Sequence, residues 1–127
     1  MKTFTLATII GLIASSMACI DPIYPGNSQF TDVGSKAKSF KPGNAAGDIH
    51  FDGLAKLTVA IKGSPSNVDV VVTPYIKKKL DIKITQQVDG KKIRQWHTTS
   101  DGKNFEACLD IGSLGHKGTF LAEVEAH

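Results

Sequence analysis

From Gly47 to the C-terminus, apolar and polar residues alternate in short runs separated by turn residues. This is the pattern of strands with one buried and one wet face. Ile49 and Phe51 alternate with Asp48, His50 and Asp52 before Gly53, and Leu57, Val59 and Ile61 alternate with Lys56, Thr58 and Lys62. After the Gly63–Asn67 connection come Val68, Val70 and Val72, and Pro74, which has no N–H for a ladder, ends that run or marks an edge. Leu80, Ile82 and Ile84 lead to Asp89-Gly90, a dipeptide suited to the positive φ angles of a type I′ hairpin, which predicts a partner strand from Lys91 to about Thr98. Beyond the Ser100–Asn104 turn, Phe105, Ala107, Leu109 and Ile111 are expected to face inward, followed across Gly112–Gly118 by Phe120, Ala122 and Val124. About seven strands without an amphipathic helix cannot hide their apolar faces in one sheet. The pattern predicts an antiparallel β-sandwich of immunoglobulin or fibronectin-III type, with a small β-barrel as the alternative.

The N-terminal third reads differently. Met1-Lys2 followed by the apolar run Phe4–Ala14 and the small residues Ser16 and Ala18 has the anatomy of a signal peptide over residues 1–18. The run is shorter than the ~20 apolar residues that a bilayer span needs. Residues 19–46 hold three of the five prolines with several glycines and asparagines, which is loop composition, and one short strand is expected around Gln29–Val33 with Phe30 as a core contact. Residues 47–127 form the expected sandwich domain. Cleavage after Ala18 makes Cys19 the first mature residue, and two readings stand. It pairs with Cys108 in an oxidising compartment, or it carries a lipid as in a bacterial envelope lipoprotein, since Ser16-Met17-Ala18-Cys19 resembles a lipobox with Ser16 where Leu is usual. Cys108 lies between Glu106 and Asp110 on the polar face, so a central core bridge of the antibody kind is not expected; a free thiol is the remaining option.

Composition narrows the function classes. The chain has 127 residues, 15 Lys+Arg against 12 Asp+Glu and a net charge of +3, too little excess for a strongly cationic nucleic-acid binder. With 7% aromatic residues it also lacks the material of a stacking platform, so nucleic acid is not expected as a partner. Charge is nevertheless unevenly placed. Residues 77–94 carry Lys77, Lys78, Lys79, Lys83, Lys91, Lys92 and Arg94 against Asp81 and Asp89, a local balance of +5, whereas residues 101–127 balance to −3. A two-residue Asp89-Gly90 turn puts Lys83, Lys92 and Arg94 on one face with Trp96 near Lys83, a basic patch with a stacking surface for an anionic glycan, a lipid headgroup or an acidic protein. A one-residue slip of register instead turns Trp96 toward Ile84 and into the core.

Candidate chemistry is sparse. His50, His97, His116 and His127 are scattered, and only His50 and Asp52 share a strand face at close spacing. No Gly-x-Ser-x-Gly elbow, His-Glu-x-x-His helix or phosphate loop occurs, so neither a metal nor a cofactor is expected. The reading that follows is a secreted, non-catalytic binding module of effector or adhesion type, with Lys83, Lys92, Arg94 and Trp96 as binding residues for a protein or anionic glycan. The competing reading is a small secreted hydrolase, ribonuclease-like or polysaccharide-cleaving, using two of His50, His97 and His116 with Glu106 or Asp110.

Overall fold

The computed structural model describes residues 18–63, 67–112 and 115–126. The expected signal segment lies outside the described residues except for Ala18. Eight strands are present: β1 (Lys38–Phe40), β2 (Gly47–Phe51), β3 (Ala55–Lys62), β4 (Asn67–Pro74), β5 (Leu80–Val88), β6 (Lys91–Ser100), β7 (Phe105–Asp110) and β8 (Thr119–Ala126). They make two four-stranded antiparallel sheets, ordered β1-β8-β5-β6 and β2-β3-β4-β7. The sheets do not close into a barrel, and the fold is an antiparallel β-sandwich. Counted from β2, one sheet holds the first, second, third and sixth strands and the other the fourth, fifth and seventh. Antibody constant domains set the first, second, fourth and fifth against the third, sixth and seventh, so the likeness to them lies in the layers and not in strand order. No helix among the described residues is long and apolar enough to cross a membrane.

The alternation places the core where it was expected. Leu57, Val59, Val68, Val70, Val72 and Leu109 from one sheet join Leu80, Ile82, Ile84, Trp96, Phe120 and Ala122 from the other in one buried cluster. Phe105, of the same parity as Ala107 and Leu109, sits at the end of β7 and stays 36% exposed.

The β5–β6 hairpin combines the two registers considered for it. Asp89 (φ 52°) and Gly90 (φ 79°) make the expected two-residue turn, and Val88 pairs with Lys91 and Gln87 with Lys92. A bulge at Gln86/Gln87 then leaves Ile93 without a ladder partner, so Gln86 pairs with Arg94 and Ile84 with Trp96. Without the bulge Gln95 and His97 would point into the core and Trp96 into water. Burying an indole removes roughly 150–250 Å² from water, about 4–6 kcal/mol at about 25 cal/mol per Å². A lost ladder hydrogen bond costs about 1 kcal/mol, so the bulge wins.

Cys19 and Cys108 form a disulfide across a sequence separation of 89. The sulfur of Cys19 is therefore engaged, which overturns the lipid-anchor alternative and the free thiol at Cys108. Closing a loop of this length contributes about 4–5 kcal/mol in the chain-entropy view. From this anchor, residues 18–37 run as a strap. Ile20 bridges Leu109 at the free edge of β7, and Ile23 bridges Gln95 at the free edge of β6. The strap thus covers two edges that would otherwise offer unpaired backbone groups, crosses the outer face of the β6–β5–β8 sheet and enters β1 beside β8. The strand expected at Gln29–Val33 is absent. Thr31 and Gly34 bond to side chains of Gln95 and Glu123 instead of to a neighbouring strand. The ladder forms further on at β1, where the Phe40 ring lies 5.6 Å from that of Phe120.

Candidate functional site

The quartet expected to share one basic face does not do so. Trp96 is 1% exposed and stacks on Phe120 at 6.0 Å with an interplanar angle of 20°. Arg94 is 2% exposed, its guanidinium carbon 5.0 Å from the Trp96 ring. It donates to Gln86 Oε1 (2.6 Å) and to the carbonyls of Ile111 (2.7 Å) and Gly115 (2.9 Å). Gln86 in turn donates to the carbonyls of Gly115 and Lys117. Arg94 is thus a structural tie that satisfies the backbone of the β7–β8 connection. Burial lowers its pKa, an effect opposed by Tyr24 and the charge of Asp110. Lys83 lies on the opposite, outer face, 3.1 Å from Glu123. Of the four, Lys92 alone is exposed, at the hairpin turn. The correction has one cause, the bulge, which reverses the parity of β6 from Arg94 onward.

The basic segment is also divided lengthwise. Lys91 and Lys92 sit at one end of β5 and β6 and Lys77, Lys78 and Lys79 at the other, roughly 30 Å away for a nine-residue strand. At that second end the lysines gain company from elsewhere in the chain. Gly102, with φ +81°, brings the β6–β7 turn against the β4–β5 loop so closely that a Cβ there would stand 3.0 Å from Lys77 Cα. The approach sets Lys103 beside the lysine triplet, and Ser100 Oγ fixes the turn by donating to the Lys103 carbonyl at 2.9 Å.

The β4–β5 loop is held in place at its root. Tyr75 N–H donates to the Leu54 carbonyl at 2.8 Å, Ile76 packs against the core, and the Tyr75 hydroxyl lies 2.9 Å from His50 Nδ1. Tyr75 is 50% exposed and Phe105 36%, so this end presents two aromatic surfaces with four exposed lysines. Asp101 and Asp52 are the acids in the neighbouring turns. Among the described residues the ion pairs are Lys62–Asp69 and Lys83–Glu123, and neither involves these lysines. Tyr75, Lys103 and Phe105 were not singled out as binding residues in the sequence. The strand-breaking Pro74 before Tyr75-Ile76-Lys77 was the available signal, but Lys103 and Phe105 join only through the topology.

The histidines are not assembled for acid–base work. His97 Nε2 lies 2.7 Å from Gln95 Oε1 on the outer face of β6, and His50 faces a phenol at the edge of the other sheet. Burial, then the charge of Lys83, lowers the His97 pKa, with Asp81 opposing. His116 occupies a turn in the β7–β8 connection, Glu106 and Asp110 belong to β7, and His127 lies outside the described residues. No group of three or more His, Cys, Asp or Glu side chains placed to hold a metal ion occurs among the described residues. Comparison with family models, with curated proteins and with solved structures finds no match to this chain.

Proposed function

We propose that this chain is an exported, non-catalytic binding module, in the manner of an effector or adhesion protein, that contacts a polyanionic partner through its lysine-rich end. The observation that carries the reading is the convergence of Lys77, Lys78, Lys79 and Lys103, outside the ion pairs Lys62–Asp69 and Lys83–Glu123 seen among the described residues and flanked by the exposed rings of Tyr75 and Phe105. Four ammonium groups on one surface raise the local concentration of an anion and steer its approach. The rings add apolar area for a sugar face or a side chain. The only arginine of the chain is buried, so the exposed cations are all point charges, which suit sulfate or clustered carboxylates better than a planar bidentate ligand. The disulfide supports export, because such bonds persist in oxidising compartments.

The test is retention on a heparin matrix. Replacing Lys77, Lys78, Lys79 and Lys103 with Ser lowers affinity by roughly ten-fold or more at low salt, while Lys91→Ser/Lys92→Ser leaves retention near that of the parent. Equal elution of the quadruple variant and the parent would overturn the assignment of the site.

A further inference from the structure

The outer face of β6, β5 and β8 carries three side chains in a row, one per strand, and each reads the strap. Gln95 on β6 accepts from Thr31 N–H at 3.1 Å and donates to the Thr31 carbonyl at 2.8 Å, so its amide takes both backbone groups of one residue. Its nitrogen also lies 2.9 Å from Thr85 Oγ1, and both residues are fully buried. Lys83 on β5 donates to Thr31 Oγ1 at 2.9 Å and to the Asp32 carbonyl at 2.6 Å. Glu123 on β8, the ladder partner of Lys83, accepts from Gly34 N–H at 2.7 Å.

Of the five strap groups held in this way, four belong to the backbone and one, the Thr31 hydroxyl, to a side chain. Position 34 favours glycine, because a Cβ there would stand 2.6 Å from Glu123 Oε2, and the carboxylate would have to swing aside and give up its bond to the Gly34 N–H. The row therefore favours an extended segment with a hydroxyl residue and, three residues later, glycine. Beside the strap the same face continues as an open groove of about 510 Å³ lined by residues that include Asp81, Lys83, His97, Thr99 and Glu125.

We propose that Gln95, Lys83 and Glu123 form a peptide-binding track that residues 31–34 occupy in cis. The ligand it fits in trans is an extended segment of a partner protein carrying Ser or Thr followed three positions on by Gly. The groove accommodates the flanks of that segment. The strap is tethered at one end by Cys19–Cys108 and at the other by β1, so its effective concentration over the track is high and an outside segment binds only when residues 31–34 lift.

The experiment uses the full chain with its disulfide intact and a fluorescent peptide of residues 27–36, read by anisotropy. Gly34→Ala breaks the bond between the strap and Glu123, and Thr31→Pro removes the N–H that Gln95 accepts; either variant that keeps its strand circular dichroism serves. The peptide is expected to bind the variant saturably and the parent about ten-fold or more weaker. The same peptide with alanine at its glycine is expected to lose about ten-fold or more against the variant. Absence of binding to folded variants overturns the track, and equal binding of the glycine and alanine peptides overturns its selectivity.

Discussion

On the inner face of the β1-β8-β5-β6 sheet, Leu80, Ile82, Ile84, Trp96 and Phe120 are sealed against the other sheet by apolar contact. On the outer face of the same sheet, Thr85 and Gln95 are equally inaccessible, yet their cover is a strap held by hydrogen bonds to side chains. The inner cover is spread over many non-directional contacts that tolerate exchange at similar volume. The outer cover rests on a few atoms, and losing the Gln95 amide leaves buried or half-buried partners unsatisfied. Depth of burial is therefore a poor guide to how firmly a layer is fixed. The outer layer has the character of a region that opens before the rest of the molecule.

Breaking the inner face gives the largest expected effect. Trp96→Ala should destabilise the fold by about 3–5 kcal/mol in urea unfolding, through lost contact and the cavity left against Phe120. Trp96→Phe should cost clearly less, since Trp96 Nε1 has no hydrogen-bond partner among the described residues. Equal losses in the two variants would show that the indole nitrogen matters after all.

The outer face should respond less and more locally. Gln95→Ala leaves both backbone groups of Thr31 unpaired and is expected to cost about 1–3 kcal/mol. Amide hydrogen exchange would speed up at Thr31 and Gly34 and stay protected at Ile82 and Ile84. Uniform acceleration across both faces would mean that the two covers unfold as one.

The smallest expected effect is that of pH. The His97 pKa is lowered in the folded state, first by burial and then by Lys83. The unfolded chain therefore binds the proton more readily, and stability falls as pH drops below the ordinary histidine value near 6.5 until the lower folded pKa is passed. Above the ordinary value the contribution is fully present. Denaturation midpoints from pH 7.5 to 4.5 should show this slope in the parent and a shallower one in His97→Gln; identical slopes would remove His97 from the account.

These two faces also mark how much could be read in advance. Six of the seven strands from β2 to β8 were legible because the apolar residues around Ile49, Leu57, Val70, Ile82, Ala107 and Phe120 recur at a period of two, and β6 was legible as the partner strand across the Asp89-Gly90 turn. The disulfide partner of Cys19 was legible as one of the options. The register of β6 was not, because the Asp89-Gly90 turn and the burial of Trp96 require different pairings and only a bulge reconciles them. Thr85, Gln95 and Glu123 look like solvated positions in a strand, and their cover comes from a strap whose Gly34 lies 89 residues from Glu123 in sequence. Lys77 and Lys103 are likewise joined only by the close packing that Gly102 allows.

The bond between Cys19 and Cys108 also decides what an encounter with a protease leaves behind. Lys77, Lys78 and Lys79 form an exposed loop open to cleavage after basic residues, and that loop lies inside the covalent ring the bridge closes. A single cut there opens the ring without releasing a fragment, so the severed chain remains one covalent particle until it is reduced.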